Sequence, residues 1–295
     1  MPTKHKIHKN CCANSKLEMK LKNNQILDKI GQVVNLGLML EEDMNTLHRI
    51  SEKDILPDEK SVHQIRKSLK SISAILFLFE FQIDQTHYLR WKSDIKSLSK
   101  QYALRREYFI NLQMFNKVED KIKGIDKSDL LELRTHFESK YHLIVQENIA
   151  REETIRQGNE TVLSTMEAIK NCNLNSELKL LNRRHLKSYQ KSQKIFKKLS
   201  LNSSSEDFHE FRKSCKRFYL QQLVFNKLGF EKTSKKNKKF YQLTEYLGKE
   251  HDLNLSYHYL GVYSTELAKL SRSFFMRKIK KLRENVLRRY PEINY

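Results

Sequence analysis

Between Pro57 and Pro291 this 295-residue sequence contains no proline. Proline lacks a backbone donor and breaks helix interiors, so a stretch of this length without it leaves long helices unobstructed. The whole chain holds seven glycines, and the hairpin dipeptides Asn-Gly and Asp-Gly do not occur. Apolar residues recur at helical spacing, so the expected fold is all-α. Helices are expected over 16–52, 58–84, 86–119, 127–170, 174–200, 205–228, 235–264 and 267–289. The breaks fall at "EKDILPD", "KGIDKS", "NCNLN", "LNSSSED" and "LGFEKTS". Ser203 and Glu206 have capping-box spacing, and Pro57 with Asp58 and Glu59 starts an earlier helix in a similar way. The first dozen or so residues are polar and basic and are read as a loose tail, 1–15.

One pattern occurs twice. "VHQIRKSLK" (62–70) and "FHEFRKSCK" (208–216) share His-x-x-Arg-Lys-Ser-x-Lys, offset by 209 − 63 = 146 residues. On a helix the first copy places Ile65, Leu69, Ile72, Leu76 and Phe79 on one apolar stripe. His63, Arg66, Lys67 and Lys70 lie about 140° round from it. The second copy pairs the stripe Phe208, Phe211, Cys215, Phe218 and Phe225 with a basic face of His209, Arg212, Lys213 and Lys216. After Ala74 the first helix is apolar all round ("AILFLFEF"), the mark of a buried helix, so its basic face is expected to line a groove. A weaker echo follows. "YALRREYFI" (102–110) aligns with "LGKEHDLNL" (247–255), setting Arg106 and Glu107 opposite His251 and Asp252 at an offset of 252 − 107 = 145. An acidic residue there is suited to orienting the His or Arg of the neighbouring helix. The duplication therefore extends to a helix pair, and the chain is expected to divide into halves at 16–150 and 151–295.

Both basic faces lie near helix N-termini, where unpaired N–H groups and the macrodipole favour anions. Arginine, lysine and histidine on the same turns add charge-assisted hydrogen bonds. Lys plus Arg number 56 against 35 Asp plus Glu, a net charge of +21, which attracts any polyanion: RNA, DNA, anionic membrane or polyphosphate. Two related basic faces suit a repeated anion bridging them. Protonating His63 and His209 below about pH 6.5 is expected to strengthen that binding.

Other chemistries find little in the residues. There is no Walker loop, no G-x-S-x-G and no E-x-E-x-K strand, and the dipeptide His251-Asp252 stands alone, so no enzyme and no cofactor is expected. His5, His8, Cys11 and Cys12 in the tail are ligand types for a transition metal, but the segment reads as a basic tail and no metal is expected. Cys11, Cys12, Cys172 and Cys215 do not form a disulfide framework; reduced thiols in the cytoplasm fit best. No run of 18 apolar residues occurs, so no membrane span is expected. Nucleic-acid binding stays open as the alternative, since the charge supports it equally. Against it, Phe208, Phe211 and Phe218 fall at core spacings, and no RNP1, KH or C₂H₂ pattern appears. A scaffold that docks another protein is a third reading.

The two motif copies, with "LRRE" and "LGKEHDL", resemble the CHAD family, the conserved histidine α-helical domain. Its halves carry V-H-x-x-R-V-x-x-R-R-L-R and L-H-x-x-R-K-x-x-K-R-L-R-Y, each followed by a helix with R-D or L-G-x-x-x-D. In the second half His209, Arg212, Lys213, Lys216, Arg217, Gly248 and Asp252 fall in register. The first copy departs, with Lys70, Ser71, Ile72 and Ser73 where the family has R-R-L-R, and Glu107 where Asp is usual. The second ends in Tyr219 and Leu220. The resemblance implies two four-helix bundles related by a pseudo-two-fold axis, with a basic channel between them that binds inorganic polyphosphate. It also implies association with polyphosphate granules. The expected contacts are the two basic faces together with Arg106, Arg184 and Arg217. Arg183, Lys187, Lys191 and Lys194 run along the same helix as Arg184. "KTSKKNKK" and "MRKIKKLRENVLRR" are read as general electrostatic attraction.

Overall fold

The computed structural model describes residues 34–51, 57–119, 127–174, 178–227, 235–262 and 266–293. The tail 1–15, most of the helix expected over 16–52, and the centres of the breaks near 52–56, 120–126 and 228–234 lie outside the described residues. Long amphipathic runs become α1 (Leu36–Ser51), α2 (Glu59–Phe79), α3 (Gln85–Gln101), α4 (Ala103–Glu119) and α5 (Lys127–Ala150). They continue as α6 (Glu152–Lys170), α7 (Leu178–Phe196), α8 (Ser205–Lys227), α9 (Lys235–Tyr259) and α10 (Glu266–Arg289). Two-residue strands β1 (Val34–Asn35) and β2 (Asn173–Leu174) pair antiparallel, Val34 opposite Leu174. They replace helix in the middle of the one expected over 16–52 and at the start of the one expected over 174–200, and tie the start of α1 to the α6–α7 link.

Two helices expected as continuous are broken. The expected 86–119 divides at Tyr102 and the expected 127–170 at Arg151, with no glycine or proline at either point. Tyr102 is fully buried, and its hydroxyl meets the Asn159 side chain of α6 at 3.4 Å. Its backbone sits at φ −89°, ψ −3°, with its N–H donating to Lys100 O. A tertiary contact, not a local breaker residue, turns the chain there.

Three apolar clusters organise the helices. The first unites the stripes of α1, α2, α3 and α6, from Leu40 and Met44 through Ile65, Ile72 and Phe79 to Met166 and Ile169, and takes in Phe225 of α8. The second holds Phe208, Phe211, Cys215 and Phe218 of α8 with Phe240, Leu243 and Leu247 of α9 and Val286 of α10. The third, around Phe115, Phe137, Phe275 and Ile279, sits where α4 and α5 meet α9 and α10. α6 packs on α1 and α3 although it follows residue 150. Burial of the five apolar residues foreseen on each motif helix is complete or nearly so.

The helix starts are capped as their sequences allow, with one change of register. Asp58 caps α2 by accepting from Ser61 N at 2.7 Å. At α8 the box is Ser204 with Asp207 rather than Ser203 with Glu206. Ser204 N donates to Asp207 Oδ2 at 3.0 Å and Asp207 N donates to Ser204 Oγ at 3.1 Å. Ser203 Oγ instead accepts from Ser200 N at 2.9 Å, which closes the preceding turn.

Candidate polyanion-binding groove

α2 packs on α8 and α4 packs on α9. The two motif helices thus face each other, and so do the two that carry the weaker echo. Cations from all of them converge. Lys70 of α2 lies within electrostatic reach of Arg212 and Lys216 of α8, and His63 lies close to Arg106 of α4. Arg66 feels both Arg106 and Arg212, and Lys216 feels Lys67. Of the residues expected from the sequence, the structure brings together His63, Arg66, Lys67, Lys70, Arg106, His209, Arg212, Lys213 and Lys216.

Lys70 shows how closely these cations are set. It is exposed by area, yet protein surrounds it closely enough that burial, followed by repulsion from Arg212, Arg66 and Lys216, pushes its ammonium down to about 8. The same causes, burial first, hold His63, Arg66 and Lys216 below their ordinary values. Three carboxylates temper the repulsion: Glu107 beside Arg66, Asp252 beside Arg212, Arg106 and Lys70, and Glu245 beside Arg212 and Lys216. Burial raises the pKa of Glu107 and of Asp252, so the acidic share of the balance is itself weakened.

The partner of His209 is an imidazole, not a carboxylate. His209 Nδ1 and His251 Nδ1 stand 3.1 Å apart, with the rings stacked at 4.4 Å between centroids. One nitrogen donates and the other accepts, so the accepting ring must be neutral and both rings can be. Burial first, then Arg212, His209, Lys70 and Lys213, pushes His251 down to about 3. His63 and His209 are also lowered, burial leading in each. Burial and the surrounding cations therefore favour the neutral form of the groove's histidines at pH 7, and their protonation begins lower than the unperturbed value implies.

This has a sign for stability. His251 is a base whose folded pKa lies below its unfolded one, so its contribution is complete above about pH 6.5 and is lost progressively as pH falls toward 3. The melting temperature is expected to be flat from pH 8 to 7 and to decline from about 6.5 to 5. His251→Gln is expected to remove most of that decline. Equal declines in the two proteins would show that the imidazole pair plays no part.

Two expected contacts lie elsewhere. Arg184 of α7 pairs with Glu80, donates to Phe77 O at 3.2 Å and stacks over Phe77 at 5.0 Å. Arg217 stacks on Phe77 at 4.9 Å. Both gather at the C-terminal end of α2, away from His63 at its start, and Arg184 acts as a tie between α7 and α2. The α8 cation Lys213 remains in the cluster but also pairs with Glu210 at 2.6 Å on the exposed side.

Other residues hold the groove in place without having been foreseen. The adjacent arginines of "LRRE" part company: Arg106 enters the cluster, whereas Arg105 is buried and donates to Glu59 Oε1 at 2.6 Å. Tyr141 of α5 donates to the same oxygen at 2.8 Å, so the N-terminus of α2 is anchored to α4 and α5. Ser68 and Ser71 donate to the half-buried Asp43 of α1, which accounts for a small hydroxyl residue at 71. Arg66, itself an expected cation of the cluster, also donates to Ser99 O at 2.7 Å. Arg283, in the basic run read as general attraction, is instead a buried tie to Glu250. The signal for such pairs in sequence is slight: an arginine or acid at an apolar position of a helical stripe.

Gly248 lies one turn from Asp252 on α9, and a Cβ built there meets no atom within 4 Å. Glycine inside a helix costs about 0.5–1 kcal/mol relative to alanine. Gly248→Ala is thus expected to stabilise the fold by about that amount, measured by urea denaturation. Gly248→Leu is expected to fill the open slot beside Asp252 and weaken polyanion binding. Unchanged binding in the leucine variant would place the slot outside the groove.

The CHAD domain model matches residues 39–261, about three quarters of the sequence. This chain belongs to the CHAD domain family. Every groove residue named above lies inside the matched span. The structure is similar to the crystal structure of the CHAD domain from the plant Ricinus communis, with 16% identity, a TM-score of 0.56, and coverage of 85% of this chain and 89% of that one. It is also similar to PptA from Streptomyces chartreusis, with 10% identity, a TM-score of 0.66, and coverage of 90% of this chain and 98% of that one. At these identities the likeness is one of fold. No curated protein sequence matches the chain. Among the described residues, no helix of this CHAD protein is long and apolar enough to cross a membrane.

Proposed function

We propose that the groove binds inorganic polyphosphate, a linear polyanion, and holds it without turning it over. The observation that carries this reading is the packing of α2 on α8 and of α4 on α9, which sets the cations of both motif copies close together; burial and neighbouring cations, Arg212 among them in each case, lower Arg66, Lys70 and Lys216. Cations crowded on two facing helices repel one another, and a run of phosphates between them relieves that repulsion. Membership of the CHAD family supports the choice of polyphosphate. On this reading the protein acts in the cytoplasm, at polyphosphate granules.

Nucleic acid is the second reading, and one observation favours it. Tyr241 is 44% exposed and packs at 5.6 Å from Tyr219, over which the Lys216 ammonium sits at 5.4 Å. An aromatic pair beside the cations offers a surface on which a base stacks.

The test is competition at one fixed salt concentration. Labelled long-chain polyphosphate is displaced by RNA, DNA, short oligophosphate or orthophosphate, from the wild type and from His209→Ala/Arg212→Ala/Lys216→Ala. Polyphosphate is expected to outcompete RNA of equal charge by about tenfold or more, a difference of about 1.4 kcal/mol. The triple variant is expected to lose that margin, and the polyphosphate recovered after long incubation is expected to be undegraded. Displacement that follows charge alone, unaltered in the variant, would overturn the proposal in favour of nucleic acid or nonspecific attraction.

A further inference from the structure

A cavity of about 290 Å³ opens between α2 and α3, beside the groove. Its rim carries two cation pairs, each one helical turn apart: Arg66 and Lys70 on α2, Lys96 and Lys100 on α3. No lining residue is acidic. Its floor is apolar, formed by Leu69, Ile95 and Ala103, the first two almost fully buried. Ser73 adds a hydroxyl, whose proton is already given to Leu69 O at 2.7 Å, so its oxygen presents lone pairs to the cavity.

A polyphosphate chain does not account for this combination. Each of its units is charged and hydrated, and an apolar floor takes that hydration away without return. Cations above an apolar floor match a molecule with phosphates at one end and an organic group at the other. The volume is at the lower limit of small-molecule pockets, with room for a ring system but not an acyl chain. We infer that this cavity, which overlaps the groove at Arg66 and Lys70, is a site for a nucleoside oligophosphate, its organic head on Leu69, Ile95 and Ala103 and its phosphates across Arg66, Lys70, Lys96 and Lys100. Ser73 Oγ accepts a hydrogen bond from a sugar hydroxyl or an exocyclic amine. Because Arg66 and Lys70 also belong to the groove, such a ligand competes with a polyanion there, but its binding does not require that the groove's ligand be polyphosphate.

Calorimetric titration of the full chain with ATP and with inorganic tripolyphosphate, without magnesium and at equal ionic strength, tests the site. The two share three linked phosphates, and tripolyphosphate has the greater charge, so electrostatics alone ranks tripolyphosphate first. Burial of the organic head is expected to reverse that order by about tenfold. Ala103→Phe, which fills the floor, is expected to reduce ATP binding to the tripolyphosphate level while leaving tripolyphosphate and long-chain polyphosphate unaffected. Tripolyphosphate binding as tightly as ATP in the wild type overturns the inference, and that comparison needs no variant. An ATP preference that survives in folded Ala103→Phe overturns it as well. Loss of long-chain polyphosphate preference in the competition experiment bears on the groove alone and leaves this comparison standing.

Discussion

Arg283→Ala is expected to lower the unfolding free energy by about 3–5 kcal/mol, the usual cost of removing one partner of a buried ion pair. Arg283 Nε donates to Glu250 Oε1 at 2.8 Å, and Nη1 donates to Ser203 O at 2.7 Å. The guanidinium lies 4.2 Å from the centre of the Phe208 ring. Glu250 is 1% exposed, and burial already raises its pKa against the lowering effect of Arg283. Removing the arginine leaves a buried carboxyl without its ion-pair partner, although Asn254 Nδ2 still donates to it at 2.6 Å, and frees the turn that begins α8. Urea denaturation measures the loss. Replacing both partners, Arg283→Met with Glu250→Leu, is expected to recover much of it, because the desolvation cost disappears with the charges. A single-variant loss below about 1 kcal/mol would mean that water satisfies this pair and that it is not a core tie.

The second large effect concerns binding. Replacing Arg66, Lys70, Arg212 and Lys216 together by alanine is expected to weaken long-chain polyphosphate binding at least about a thousandfold at low salt. Charge-assisted hydrogen bonds contribute about 1.5–3 kcal/mol each. The slope of log affinity against log salt is expected to shrink by about 3, since each phosphate contact on a single strand contributes about 0.7. Lys70→Ala with Lys216→Ala is expected to melt higher than the wild type without polyanion, because burial and repulsion of these two ammonium groups no longer oppose folding. An unchanged salt slope would assign the binding to the general surface charge of +21. A lower melting temperature of the double variant would show that the two lysines are structural ties and not part of a site held ready for an anion.

The pattern of residues was informative where one helix is enough to define a face. Ile65, Leu69, Ile72, Leu76 and Phe79 share a stripe because 3.6 residues make a turn, and all five are buried. His63, Arg66, Lys67 and Lys70 must then lie together on the far side, whatever packs against the stripe. The same holds for α8. The repeat also indicated that the two faces belong to one site, and the packing of α2 on α8 agrees. Less was legible where a contact between helices decides. The alignment of the repeat singled out Arg106, but nothing local assigned Arg105 to Glu59; the 100° between successive residues sends one to that carboxylate and the other to the groove. Arg184 sits on a basic stripe like its neighbours, and Glu80 claims it. The turn at Tyr102 has no local breaker and exists because the tyrosine side chain belongs in the first core.

The sequence by itself determined that this chain is helical, that two of its helices present matched basic faces, and that each face begins near a capped N-terminus. Those properties follow from periodicity and capping, which act over four or five residues. Only the tertiary structure decided which cations stand close enough to depress one another and that His209 meets His251. It also decided that Lys96 and Lys100 join Arg66 and Lys70 around an apolar floor. Electrostatic and stacking energies depend on distance and desolvation between groups far apart in the chain, and a linear pattern fixes neither until the helices have packed.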